Sequence, residues 1–163
     1  MEPELVALSA AIGAACHQSR LLLATAESCT GGWVAQVITH TPGSSAWFER
    51  GFVTYSNAAK SELLGVRAET LAGFGAVSIE TAQEMAEGAL KHSRAQVSLA
   101  ITGIAGPGGG SPGKPVGAVC FAWCRAGALA QTEMLHFTGE REAIRRQSVV
   151  HALKGLLSRL GTR

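Results

Sequence analysis

The chain has 163 residues, 47% of them hydrophobic and 16% charged, enough apolar material for a substantial core and too little charge for a disordered chain. Its 14 Lys plus Arg nearly balance 12 Asp plus Glu, and a formal net charge of +2 is too small to drive binding to nucleic acid or to a charged membrane surface. No apolar run nears the roughly 20 residues that span a bilayer, and the acidic Met1-Glu2-Pro3-Glu4 start does not fit a basic signal-peptide n-region, so the expectation is a cytoplasmic protein acting on a small molecule.

In chain order, Pro3 suits a first helical turn, and Leu5, Leu8, Ile12 and Cys16 recur at helical spacing. Leu21 to Thr25 reads as a short buried strand that runs into a tight turn, Glu27-Ser28-Cys29-Thr30-Gly31-Gly32, and then a helix over Trp33 to Ile38. After the turn cluster Thr41 to Ser45, the stretch Trp47 to Tyr55 is aromatic and β-branched, as a strand requires. Ser56 is a candidate N-cap for a short helix carrying Lys60, Leu63 and Leu64 and ending near Gly65. Ser78 caps a second candidate helix reaching about His92, with Ala82, Met85, Ala86 and Ala89 on one face.

Val97 to Thr102 reads as a buried strand, followed by a loop from Gly103 to Gly113 too rich in Gly and Pro for regular structure. Val116 to Cys124 and Leu129 to Phe137 suggest an antiparallel hairpin. Val149, Leu153, Leu156 and Leu160 stripe a last helix that begins after Thr138-Gly139-Glu140, with Glu140 and Glu142 at its positive end. About five strands alternating with about five helices predict an α/β fold: a three-layer α/β/α sandwich around a mixed, mostly parallel sheet with one antiparallel member, as one domain over 1–163.

The four cysteines, 16, 29, 120 and 124, form no Cys-x-x-Cys pair, and the five histidines form no metal-binding pattern, so no metal and no disulfide framework is expected. In the glycine loop, Gly108-x-x-x-x-Gly113-Lys114 approaches a Walker A motif, but Pro115 stands where Ser or Thr would hold magnesium. Gly108-x-Gly110-x-x-Gly113 matches the dinucleotide pattern by letter, yet Pro112 and Pro115 forbid the helix that pattern needs. The loop's glycines still permit close approach of a ligand to backbone N–H groups.

Ser28 is the most informative residue, because a hydroxyl on a strand-to-helix turn faces a helix N-terminus whose unpaired N–H groups could hold an oxyanion. Ser28 and Thr30 can also be read simply as caps of that helix. A serine nucleophile needs a base, and Thr54-Tyr55-Ser56-Asn57-Ala58-Ala59-Lys60 offers a tyrosine and a lysine at one strand-to-helix junction. The helix dipole contributes only about 0.3–1 kcal/mol toward neutralising Lys60, so burial must supply the rest or Tyr55 must share the proton; an exposed Lys60 beside a packed Tyr55 is the plainer alternative. Arg141 and Arg145, four apart, could grip a phosphate or form an ordinary solvated face.

Six segments, in order and spacing, carry a resemblance: Ala26 to Gly32, Val53 to Lys60, Gly75 to Ala82, Ile101 to Gly109, Lys114 to Gly117, and Gly139-Glu140-Arg141 with Ile144-Arg145. Together they are similar to the CinA C-terminal domain family in its stand-alone form. The resemblance implies hydrolysis of the carboxamide of nicotinamide mononucleotide to nicotinate mononucleotide and ammonia, without a cofactor, by a small enzyme often found as a homodimer. It implies Ser28 as nucleophile and Lys60 with Tyr55 as activating partners. Glu27, Thr30, Gly31, Thr102, Gly103, Gly106 and Gly108 would line the substrate site, with Arg141 or Arg145 on the phosphate. Leu71-Ala72-Gly73-Phe74 matches the family only loosely. The competing expectations are a non-catalytic nucleotide-binding module, and a nucleophilic Cys29 in place of Ser28.

Overall fold

The computed structural model describes residues 1–161, so the last two residues of the domain expected over 1–163 lie outside the described part. Five strands, β1 (Leu23–Glu27), β2 (Phe48–Val53), β3 (Val97–Gly103), β4 (Ala118–Arg125) and β5 (Gln131–His136), form one sheet in the order β2-β1-β3-β4-β5. β1 pairs in parallel with β2 and β3, while β4 is antiparallel to both its neighbours, so it alone runs against the other four. The central strands β1, β3 and β4 are buried on both faces and correspondingly apolar, whereas the edge strands β2 and β5 carry exposed residues.

Helices α1 (Pro3–Ser19), α2 (Trp33–Thr39) and α6 (Arg141–Leu160) pack on one face, and α3 (Asn57–Leu64), α4 (Ala68–Phe74) and α5 (Ile79–Lys91) on the other. The result is the expected three-layer sandwich. Strand alternation divides the core: Leu23 joins Leu5, Ile12, Val34, Leu99, Phe121 and Leu153 on the α1/α2/α6 side. Ala24 and Ala26 join Ala82, Ala86, Ala89, Ala100 and Ala122 on the α5 side. Those alanines let α5 lie close to the sheet. Gly88 in turn lets α3 lie close to α5, since a Cβ there would stand 2.0 Å from the Leu64 carbonyl oxygen. This close crossing seats α3, and with it Lys60, against the sheet.

Local signals decide several boundaries. The Ser56 hydroxyl accepts from the Ala59 amide at 3.0 Å and the Ser78 hydroxyl from the Thr81 amide at 3.1 Å, caps worth on the order of 1 kcal/mol each. Gly65, at φ 71°, ends α3 in the left-handed conformation that glycine adopts without strain. Leu5, Leu8, Ile12 and Cys16 are buried along α1 as their spacing predicts.

Strand bounds differ from the sequence expectation by up to two residues, and two departures have a visible cause. A sixth α-helix, α4, occupies 68–74, where only a loosely matched loop was expected. Its signal is remote: the Glu84 carboxylate on α5 accepts from the Arg67 amide at 2.9 Å and from the Thr70 hydroxyl at 2.5 Å, supplying a cap from 14 or more residues away. The first strand begins two residues later than its apolar run, because the amide of Leu21 bonds back to Cys16 and that of Leu22 to the Gln96 side chain. Pairing starts at Leu23 and carries through Glu27, which therefore belongs to the strand and not to the turn. No helix among the described residues is long and apolar enough to cross a membrane.

Candidate active site

The chain passes from β1 to β2 on one side and to β3 on the other, so the strand order reverses at β1/β3, and the carboxyl ends there open a crevice of the kind in which α/β sheets bind ligands. Ser28 follows β1 directly, and Thr102 and Gly103 end β3. A pocket of about 270 Å³ lies between them, walled by Ser28, Cys29, Lys60, Thr102, Gly103 and the glycine loop at Ala105–Gly109, with Tyr55 and Arg141 at its edge. A larger depression of about 510 Å³ beside Trp123 and Leu129 holds the Cys124 thiol but no hydroxyl, lysine, histidine or carboxylate.

Lys60 is the dominant group. Its side chain is 1% exposed, and Nζ lies 3.0 Å from Ser28 Oγ and 2.9 Å from the Thr54 carbonyl oxygen. The fold brings these partners together through backbone pairing: the Ser28 amide bonds to Ile101 O at 3.0 Å and the Thr54 amide to Glu27 O at 2.8 Å, which fixes both chain segments to the end of the sheet. No carboxylate lines the pocket. Burial therefore lowers the Lys60 ammonium from the usual lysine value, offset only in part by the nearby Cys29.

The lysine and tyrosine at the junction reverse the plainer expectation, for it is Lys60 that is buried and Tyr55 that is 61% exposed. The sequence carried a signal for this: Lys60 lies four residues before Leu64, the buried residue on α3, and so shares its inward face. Tyr55 makes no hydrogen bond to Lys60 or Ser28 among the described residues. Its hydroxyl instead accepts from Arg141 Nη2 at 2.9 Å, while Arg141 Nη1 donates to Gly106 O at 2.6 Å. Arg141 thereby ties the rim tyrosine to the glycine loop. Thr102 donates its hydroxyl to Ala76 O at 2.8 Å, so its side chain serves the pocket wall.

Glu27, Thr30, Gly31 and Arg145 gather beneath the Ser28 turn, outside the pocket. The buried Glu27 carboxylate accepts from the Thr30 hydroxyl at 2.6 Å and from the α2 amides of Val34 at 2.9 Å and Ala35 at 3.0 Å. This corrects two expectations. The side chain that takes the α2 amides is that of Glu27 and not the hydroxyl of Ser28 or Thr30, and those N-terminal amides are occupied instead of facing Ser28 Oγ. The amide of Cys29, at the pocket wall, finds no acceptor from another residue among those described. Gly31 and Gly32 turn the chain at φ 60° and 99°, conformations that a residue with a Cβ adopts only at a cost. Arg145 Nε donates to Cys29 O at 3.0 Å and Nη2 to Thr30 O at 3.2 Å.

Cys29 and Ser28 face opposite sides of the sheet. The Cys29 side chain packs with Leu5, Leu23 and Val34 on the α1/α2/α6 side, and burial pushes its thiol up to about 12. All four cysteines are free and buried. The chain contains no aspartate, so a Ser-His-Asp arrangement is excluded by composition. No group of three His, Cys or Glu side chains is placed to hold a metal ion among the described residues.

Residues 5–160 match the family described as CinA C-terminal domain. A nicotinamide-nucleotide amidohydrolase PncC from Escherichia coli (strain K12) is 55% identical over 155 residues, covering 95% of this chain and 94% of that relative. A protein of the same name from Pseudomonas putida is 49% identical over 162 residues, covering 99% of each. Among solved structures, the competence/damage inducible protein CihA from Agrobacterium tumefaciens superposes with a TM-score of 0.94 at 45% identity, covering 97% of this chain and 96% of that one.

Proposed function

The chain belongs to the CinA C-terminal domain family, and from that membership we propose that it is a cytoplasmic amidohydrolase converting nicotinamide mononucleotide to nicotinate mononucleotide and ammonia, with Ser28 as nucleophile and Lys60 as its base. The observation that carries the mechanism is the buried Lys60 amine bridging Ser28 Oγ and Thr54 O with no carboxylate beside it. A neutral amine donates one N–H to Thr54 O and accepts the Ser28 hydroxyl hydrogen on its lone pair. An ammonium has no lone pair to take that hydrogen, and it leaves a full charge in a buried site with no carboxylate beside it.

In the proposed course Ser28 Oγ attacks the carboxamide carbon and its proton passes to Lys60. The Cys29 amide and N–H groups of the Ala105–Gly109 loop hold the oxyanion, in place of the α2 terminus. As the C–N bond breaks, the Lys60 ammonium protonates the departing nitrogen, which leaves as ammonia. Water then gives a proton to Lys60 and attacks the acyl ester, and Lys60 returns that proton to Ser28 Oγ. The balance is amide plus water to carboxylic acid plus ammonia, with no other reactant.

Of the two arginines, Arg141 is the phosphate ligand in this reading. It reaches the pocket edge, whereas Arg145 is engaged with two backbone carbonyls beneath the turn. Tyr55 holds Arg141 and offers an exposed ring at the mouth, and takes no part in the proton relay. The test is ammonia release from nicotinamide mononucleotide, with a chelator present, by the wild type, Ser28→Ala and Cys29→Ala. Turnover is abolished in Ser28→Ala and kept in Cys29→Ala; the reverse result assigns the nucleophile to Cys29, and tight binding without turnover in the wild type assigns the chain a non-catalytic nucleotide-binding role.

A further inference from the structure

We propose that Arg145 is a positioning residue of the nucleophile turn, shaping the oxyanion site from beneath and leaving the substrate phosphate to Arg141; the proposal rests on the serine-amidase reading above. Ser28 to Gly31 forms a four-residue turn closed by the Gly31 amide on Ser28 O at 3.0 Å, with Cys29 and Thr30 at its centre. Arg145 grips the carbonyl oxygens of both central residues, Nε on Cys29 at 3.0 Å and Nη2 on Thr30 at 3.2 Å. Two successive carbonyls gathered on one side of a turn repel each other as parallel dipoles. A planar guanidinium, whose Nε and Nη2 donors form one fixed edge, offsets that repulsion with two charge-assisted bonds, which a lysine cannot do in the same geometry.

The turn is thus held from two directions by opposite charges. Arg145 takes its carbonyls, and Glu27 takes the amides of Val34 and Ala35 that follow it. The Trp33 ring, with the Arg145 guanidinium carbon 5.4 Å from its centroid, borders the arginine. Gly31 leaves room for it, since a Cβ there would meet Arg145 Nη2 at 3.6 Å. With the carbonyls of Cys29 and Thr30 and the Ser28–Gly31 bond fixed, the Ser28–Cys29 peptide is fixed too, and being planar and trans it directs the Cys29 N–H opposite to the Ser28 carbonyl. The arginine therefore orders both the backbone of Cys29, which lines the pocket, and the backbone that carries Ser28 Oγ.

The experiment uses the full chain with Arg145→Lys and Arg145→Gln, the second keeping one donor should the first fold poorly; far-ultraviolet circular dichroism and thermal melts select the folded variants. With nicotinamide mononucleotide, kcat falls on the order of 100-fold, the scale of a misplacement of about 1 Å at a reacting group, while KM stays within about threefold of the wild type. An aldehyde analogue of the substrate, which adds Ser28 Oγ to its carbonyl and places an oxygen in the oxyanion site, loses affinity in parallel with kcat/KM, whereas the product nicotinate mononucleotide does not. The rate at which a small fluorophosphonate labels Ser28, read by intact mass, falls by a similar factor. A raised KM with kcat retained would assign Arg145 to the phosphate and overturn the proposal, as would labelling unchanged in the variants. Should the wild type release no ammonia, the substrate reading fails by itself, and the labelling comparison still decides the role of Arg145.

Discussion

Replacing Lys60 with methionine separates the chemical role of the buried amine from its place in the fold. Methionine is unbranched and nearly as long, so it fills the slot between α3 and the sheet with little repacking. General acid–base catalysis contributes about 100- to 10,000-fold, and Lys60 acts in both halves of the reaction, so Lys60→Met lowers kcat by about 10,000-fold, or about 5.5 kcal/mol of barrier. Stability moves the other way in one respect. Burial lowers the lysine's affinity for its proton in the folded state, so between that lowered value and the ordinary lysine value of about 10.4 the unfolded chain binds more protons than the folded one. Wild-type stability consequently rises with pH across that window; the cost of burial is fully present below it and absent above it. The methionine variant lacks this rise, and against that gain it leaves Thr54 O without its Nζ donor, a loss of about 1–3 kcal/mol. The assays are ammonia release across pH, where wild-type kcat/KM climbs as Lys60 deprotonates, and urea unfolding of both proteins near pH 7 and pH 10. A variant that keeps more than a tenth of the wild-type kcat would remove Lys60 from the mechanism. Wild-type and variant stabilities that track each other at both pH values would show that the lysine is not desolvated.

Arg141→Gln raises KM for nicotinamide mononucleotide by about 10- to 100-fold, the equivalent of roughly 1.5–3 kcal/mol for bonds to a charged group, with kcat within a few-fold. Nicotinamide riboside, which lacks the phosphate, is processed alike by wild type and variant, and a KM unchanged for the mononucleotide would refute the assignment. Glu27→Gln sets an amide N–H₂ against the Val34 and Ala35 amides or the Thr30 hydroxyl and lowers the unfolding free energy by about 1–3 kcal/mol, read from the urea midpoint. A midpoint matching that of the wild type would mean that the carboxylate is not seated on α2.

What the sequence made legible is what short-range physics decides. Ser56, Gly65 and Ser78 mark helix ends within one turn of their partners, and the stripes of α1 and α6 follow from spacing alone. The three-layer architecture and the single reversed strand follow from the alternation of elements and the terminal hairpin. Residues whose partners lie far along the chain resisted. Glu84 caps α4 from the next helix, and Arg145 reaches back 115 and 116 residues to the Ser28–Gly31 turn, so neither contact leaves a local pattern. Lys60 and Tyr55 were visible as a pair, and the four-residue step from Lys60 to Leu64 marked the inward face of α3, but how closely that face is seated depended on the crossing of α3 and α5 at Gly88. Glu27 was misplaced in register: with the strand drawn to end at Thr25 it fell into the turn, whereas its place at the end of β1 turns its carboxylate to the α2 amides.

That register also protects the chemistry. Side chains alternate across a sheet, and Glu27 and Ser28, adjacent in the chain, leave β1 on opposite faces: the carboxylate toward α2, the hydroxyl toward α3 and Lys60. A carboxylate on the lysine side would hold the ammonium charged, since an opposite charge within about 4–6 Å raises a lysine's proton affinity and works against its burial. On the far face, the same carboxylate satisfies two helix amides and a hydroxyl instead. The sheet, one residue thick, lets a buried acid stiffen the Ser28 turn without keeping Lys60 protonated, and a one-residue slip of β1 would exchange the two side chains and undo both arrangements at once.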